Sequence, residues 1–276
     1  PDEIPASLAI QMAGQYRDEN SIAALSDFIG QAEMAEEYTT CSLKVAMAVE
    51  ALGAIHSEQS ISSLASRIHH RNATIRRIIH DELIKTGPDA VPFLAKVFDD
   101  DNTDRKILAA NILGMIGARS GGEAMVRALD AGKADDANVR YAIYEAFGRI
   151  PFLKGLTCLI DALEIDDELI LMATLTALAH QINPGVIKKL KDVIGQGGAH
   201  GDKILRALVA VKAVDLFHHL YADEKIAAAV MTEIARTGDP DVVEAFKTAL
   251  TTIEGERAKE DFAKLSALAV LLGGRE

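Results

Sequence analysis

The chain has 276 residues, with 41 acidic and 29 basic side chains, so its formal charge is 29 − 41 = −12. A surface of that sign repels phosphate backbones and argues against nucleic acid as a general partner, because backbone affinity needs clustered Lys and Arg. Apolar residues make up 49% but aromatics only 5%, with no Trp, so the core has to come from Ala, Leu, Ile and Val, which suits closely spaced helices. The two cysteines, Cys41 and Cys158, form no CxxC pair. That leaves out a disulfide framework and a zinc cluster and points to a reducing compartment. No apolar run reaches the ~20 residues that span a bilayer; the greasiest stretch, Ala263 to Leu272, is interrupted by Lys264 and Ser266. The opening PDEIPASLA lacks the basic segment of a signal peptide, and a start at Pro without Met leads one to expect an excised piece of a longer protein.

In chain order, Pro5 to Tyr16 and Ser21 to Ile29 read as an opening helix pair. A phrase then recurs, as VAMAVEALGAI ending at Ile55, ILAANILGMIG ending at Gly117 and VRYAIYEAFGRI ending at Ile150. IRRIIHDELIKTG, ending at Gly87, and LILMATLTALAHQI, ending at Ile182, are looser copies. Its anchors are Leu52, Leu83, Leu113, Phe147, Leu178 and Leu208, separated by 31, 30, 34, 31 and 30 residues. That period fits two short helices and two turns, not strands. Four before the anchors stand Ala48, Ile79, Ala109, Ile143 and Thr174, and one before stand Ala51, Glu82, Ile112, Ala146 and Ala177. Together these form one stripe of a 3.6-residue helix. One after the anchors stand Gly53, Ile84, Gly114, Gly148 and Ala179, and a small residue there predicts room for the second helix of the same pair to pass closely.

The second helices are predicted over Ser57 to Ile68, Pro88 to Phe98, Gly121 to Leu129, Phe152 to Leu163 and Pro184 to Ile194. Pro88 and Pro184 suit helix starts, and Gly87, Gly117 and Gly238 suit helix ends. The acidic turns Asp99 to Asn102, Asp135 to Asn138 and Asp166-Asp167 can cap the helix that follows. Gly195 to Gly201 is the expected kink. Ala227 to Gly238 and Pro240 to Thr252 close the array, and Glu254 to Leu272 reads as a capping helix. No domain boundary is visible, so residues 1–276 read as a single array of about seven hairpins.

These phrases resemble the HEAT-repeat family, in the short-period bacterial form of the phycobilisome lyases, over roughly Ser21 to Thr252. The resemblance implies an all-α, right-handed α-solenoid whose second helices line the concave face. It implies function at class level only, since such repeats occur in bilin lyases and isomerases, in hydroxylases and in adaptor modules of signalling proteins. The expectation is a non-catalytic protein-binding scaffold or regulatory module of the bacterial cytoplasm, with another protein as partner, no membrane and no cofactor. A bilin lyase or chaperone is the alternative, and the enzyme expected if there is one. Nucleic-acid binding through the basic cluster at 67–77 (Arg67, His69, His70, Arg71, Arg76, Arg77) is a weaker one, because helix C-terminal dipoles already account for the two histidines.

No catalytic or metal constellation stands out. His80-Asp81-Glu82 lacks the repeated His-Glu dipeptide of the hydroxylases, with Val49, Ala110, Tyr144 and Leu175 at the equivalent positions, and His218-His219 has no companion at metal spacing. Arg76, Lys106 and Arg140, seven before the anchors, read as a basic ladder pairing with acids in the neighbouring turns. On the second helices Asp27, Asp130, Asp161 and Asp192 share a register position with Ser66, Lys96 and Thr248. The outward positions there give the candidate protein-binding residues Phe93, Lys96, Arg127, Asp130, Cys158, Asp161 and Lys188, with Phe93 as an aromatic anchor. If the register is right, Leu113→Ala costs about 2–5 kcal/mol in urea unfolding, as buried Leu truncations do. A loss under about 0.5 kcal/mol, the range of surface changes, would refute it.

Overall fold

The computed structural model describes residues 3–34 and 43–273, and their regular structure is helical throughout. Cys41 lies outside them. The helices are α1 (Glu3–Gln15), α2 (Ile22–Met34), α3 (Leu43–Ile55), α4 (Glu58–Ala65), α5 (Ala73–Thr86), α6 (Val91–Lys96), α7 (Thr103–Ile116), α8 (Arg119–Asp130) and α9 (Ala137–Arg149). They continue as α10 (Leu153–Ala162), α11 (Glu168–Ala179), α12 (Pro184–Gly195), α13 (Gly198–Ala210), α14 (Val214–Leu220), α15 (Glu224–Thr237), α16 (Pro240–Leu250) and α17 (Glu256–Gly273). The chain divides into two units, Pro1–Ala146 and Phe147–Glu276.

Within the first unit, α1, α3, α5 and α7 pack side by side, as do α2, α4, α6 and α8. Within the second, α11, α13, α15 and α17 form one such succession and α12, α14 and α16 the other. Every predicted anchor is sealed: Leu52, Leu83, Leu113, Phe147, Leu178 and Leu208 are each 0% exposed. The residues four before them are equally buried, which fixes the stripe of each first helix as the inward one.

The turns follow the capping chemistry. Asn102 accepts from the Arg105 amide, Asp136 from those of Asn138 and Val139, and Asp167 from that of Ile170. Each satisfies an amide that its helix leaves without a partner. Gly117 and Gly238 close α7 and α15 at φ of 71° and 61°, a left-handed conformation that costs other residues about 1–2 kcal/mol. The helix expected over Pro88 to Phe98 is broken: α6 is flanked by 3-10 turns at Gly87–Ala90 and Val97–Asp99. Pro92 inside this stretch has no amide to donate to a longer helix. Gly195 to Gly201 contains the break between α12 and α13, with Gly197 and Gly198 at φ of 67° and 73°.

One expectation is corrected. The small residue after the anchor makes room for the first helix of the next repeat, not for the second helix of its own. A Cβ on Gly14 would lie 3.0 Å from the Ala51 Cα, and one on Gly148 would lie 2.8 Å from the Ala177 Cα. Above Gly53 the space is filled by the Glu82 carboxylate, 2.2 Å from where a Cβ would stand. Ala51, Glu82 and Ala177 are the residues before the next anchors, so at Gly53 and Gly148 one repeat's +1 position meets the next repeat's −1 position, and Gly14 of α1 meets that −1 position at Ala51.

These contacts predict unequal costs. Gly148→Ala presses on the α11 backbone, which no rotamer change relieves, and should lose about 1–3 kcal/mol as overpacked sites do. Gly53→Ala meets the movable end of a side chain, and the better helix propensity of Ala, about 1 kcal/mol, offsets the displacement. Chemical denaturation of both variants checks this, and equal losses would contradict it.

Candidate functional site

The seven candidate residues fall into two groups. In the first unit Lys96, Arg127 and Asp130 are exposed and Phe93 is half-buried; in the second Asp161 and Lys188 are exposed and Cys158 is half-buried. Phe93 is therefore not a fully presented anchor. Its ring lies under the Lys96 ammonium, 5.6 Å from the centroid, within cation–π reach. Lys96 and Arg127 come together in a cleft of about 320 Å³ between α6 and α8, with Ala95, Ala124, Ala128 and Ala131, while Lys133 and Asp99 stand at the same cleft. Asp130 and Phe93 do not line it. The shared register position of Asp27, Ser66, Lys96 and Asp130, and of Asp161, Asp192 and Thr248 in the second unit, is solvent-exposed at every member.

The basic ladder binds carbonyls more than carboxylates. Arg76 donates to the His70 carbonyl at 2.7 Å, Arg140 to that of Ala134 at 3.0 Å, and Lys106 to that of Lys133 at 2.8 Å. Each of these carbonyls lies in a turn after a second helix. Arg140 alone of the three also reaches an acid, Asp135, at 3.3 Å.

The 67–77 cluster is likewise built into the fold. Arg67 donates to the carbonyls of Ser63 and Ser26, joining α4 to α2. His70 is 3% exposed, and its Nδ1 accepts the Asn72 amide. Nδ1 therefore carries no proton, and the ring is neutral with its hydrogen on Nε2. The sequence led us to expect His70 to complement a helix dipole; its Nδ1 instead takes up the Asn72 amide. His69 stays exposed, 3.7 Å from Asp104. His80 Nε2 lies 2.8 Å from the Ile68 carbonyl, so the residue tested above as a metal ligand closes the end of the preceding helix.

Sequence reasoning singled out His218-His219 and Thr248 but did not bring together the residues of two clefts of the second unit. One, about 560 Å³, gathers His180, His218, His219 and Asp215 between the end of α11, α14 and α16. The other, about 620 Å³, lies between α15 and α17 and holds Met231, Leu265 and Leu268 beside Arg257, Asp261 and Lys264. There the Tyr221 hydroxyl donates to Asp261 at 2.8 Å, and Arg257 reaches the Tyr221 carbonyl and stacks 4.5 Å from its ring centroid. Burial first, and the Asp261 bond second, push the Tyr221 phenol up to about 12, so it stays a neutral donor. The arrangement pins α17 to the turn after α14. Among the described residues, no His, Cys, Asp and Glu group has metal-binding geometry, and no helix is long and apolar enough to cross a membrane. Comparison with protein-family models and with curated proteins returns no match for this chain.

Burial holds His70 and His80 below the ordinary imidazole value of 6.5, with Glu33 opposing at His70 and the Ile68 carbonyl at His80. A depressed folded value means the unfolded chain binds protons first. Their stabilisation is complete above about pH 6.5 and is lost as pH falls through the folded values. Glu164 and Asp166, lowered by hydrogen bonds from Lys189 and Lys203, lose theirs only below their ordinary 4.5 and 3.8. Unfolding free energy should thus already decline as pH falls below about 6.5, above the range where the carboxylates protonate, and a His70→Asn/His80→Gln variant should flatten that part of the curve. An unchanged slope in the variant would count against these two histidines.

Proposed function

We propose that this chain is a non-catalytic protein-binding scaffold, a HEAT-like α-solenoid of the bacterial cytoplasm whose second helices present the working surface to another protein. The observation that carries the reading is the solvent-exposed register position on those helices, repeated from Asp27 to Thr248 with side chains of differing charge. The position recurs on, or just past the end of, α2, α4, α6, α8, α10, α12 and α16, and its side chain is solvent-exposed at each. The helix-on-helix succession within each unit also supports the reading, since repeats that touch only their neighbours are what a solenoid is made of.

The test is partner capture from an extract of the native host. Phe93→Ala combined with Arg127→Glu should weaken capture by about tenfold or more, which is ~1.4 kcal/mol. Far-UV circular dichroism should be unchanged. Lys106 cannot serve as the first-helix control, because its ammonium holds the Lys133 carbonyl. Arg77, exposed on α5, replaces it as Arg77→Glu. Equal loss from the control would move the binding surface off the second helices.

A further inference from the structure

We infer that the cleft between α6 and α8 receives a short acidic peptide segment of the partner, an inference that rests on the scaffold reading above. Its floor is small. Ala124 and Ala128 are buried and Ala95 and Ala131 flank them, while the one large apolar side chain of the lining, Phe98, is 2% exposed, so an incoming main chain meets mostly alanine. Its rim is basic. Lys96, Arg127 and Lys133 against Asp99 leave 3 − 1 = +2 on a chain whose total is −12.

That excess is concentrated on two side chains. Lys133 is tied to Asp99 by an ion pair, so the two cancel. Lys96 and Arg127 are exposed, and no carboxylate of the described residues pairs with either. Lys96 is instead held over the Phe93 ring, which presents its ammonium without consuming it. Arg127 offers a fork that takes a carboxylate through two parallel hydrogen bonds. At about 320 Å³ the cleft lies at the small end of ligand sites, which run roughly 300–1,000 Å³. A few residues bearing two carboxylates match it in charge and size.

A long polyanion fits less well. Screening confines each charge to about 8 Å at physiological salt, so a nucleic acid feels whatever lies along its track. One turn beyond Arg127 stands exposed Asp130, and the following turn carries Asp135 and Asp136, both exposed. A short segment stops before these acids.

Fluorescence anisotropy with the full chain tests this, using a fluorescein-labelled peptide of alternating Glu and Ala. The same peptide with Lys for Glu, and a labelled single-stranded oligonucleotide, are run beside it. The Glu peptide should bind and weaken with added salt. Arg127→Glu and Lys96→Glu should each cost it about tenfold or more, and the double reversal should bind the Lys peptide instead. Both side chains are exposed, so circular dichroism should show the fold intact. No binding of the Glu peptide, or equal binding by wild type and both reversals, overturns the acidic-segment inference. So does an oligonucleotide that binds more tightly through the same two residues. The scaffold reading stands or falls separately on partner capture by the Phe93→Ala/Arg127→Glu variant: capture that depends on this pair while the Glu peptide fails means a partner of other chemistry.

Discussion

The contact on which the rest depends is the approach of one first helix to the next, which at Gly14–Ala51 and Gly148–Ala177 leaves no space for a larger side chain, although the α5 and α7 pair carries Ile84 and Ile112 at the corresponding positions. Gly14 on Ala51 and Gly148 on Ala177 leave no room for a single added carbon. The anchors beside these contacts are 0% exposed. The exception shows how strict the site is. At Gly53 the facing residue is Glu82, and its acid end occupies the space that a methyl would take while its oxygen pairs with the Lys85 ammonium at 2.6 Å. Glu82 is 8% exposed, and a buried carboxylate is tolerated only when it is paired.

Close helices create a second problem, which the basic residues solve. Each short second helix ends in carbonyls that no later amide of the helix can satisfy. Arg67, Arg76, Lys106, Arg140, His80 and His200 all deliver a nitrogen to such a carbonyl or to one in the turn beyond it. Four of the 29 Lys and Arg residues, Arg67, Arg76, Lys106 and Arg140, serve the fold in this way. Surface ion pairs such as Lys189 with Glu164 or Lys203 with Asp166 join the same turns, but exposed pairs contribute only about 0–1 kcal/mol each.

The anchor columns were legible because burial repeats with the chain: a residue that must be sealed in one repeat is apolar in the next. The caps were legible because Asn102 and Asp167 stand immediately before the helices they serve. The partner of the small residue was misassigned, since spacing places Gly148 on a helix face without saying which neighbour covers that face. The basic column was read correctly as a ladder, but its acceptors are backbone carbonyls, which leave no mark in a side-chain pattern. The α13 and α14 hairpin was faint because its repeat phrase is eroded and only Leu208 remains as an anchor. Tyr221 and Asp261 are 40 residues apart, so no local motif joins them. Of the candidate surface, the exposure of Lys96, Arg127, Asp130, Asp161 and Lys188 followed from the register, whereas the half-burial of Phe93 and Cys158 depends on side-chain packing that the register does not contain.

The same constraint decides where chemistry can vary. First helices have little slack where Gly14 and Gly148 meet the backbones of Ala51 and Ala177. The outward position of the second helices touches no neighbour of that kind, and substitutions at such places usually fall within about ±0.5 kcal/mol. Asp, Ser, Lys and Thr can therefore occupy one register position without disturbing the fold, and they do. A partner reading these side chains reads a pattern that packing leaves open. Lys96 is where its sign reverses, and Arg127 stands at the same cleft. On the proposed scaffold reading, a chain of net charge −12 thus keeps a local basic site at the α6 and α8 cleft, where electrostatic complementarity adds specificity and association rate more than raw affinity.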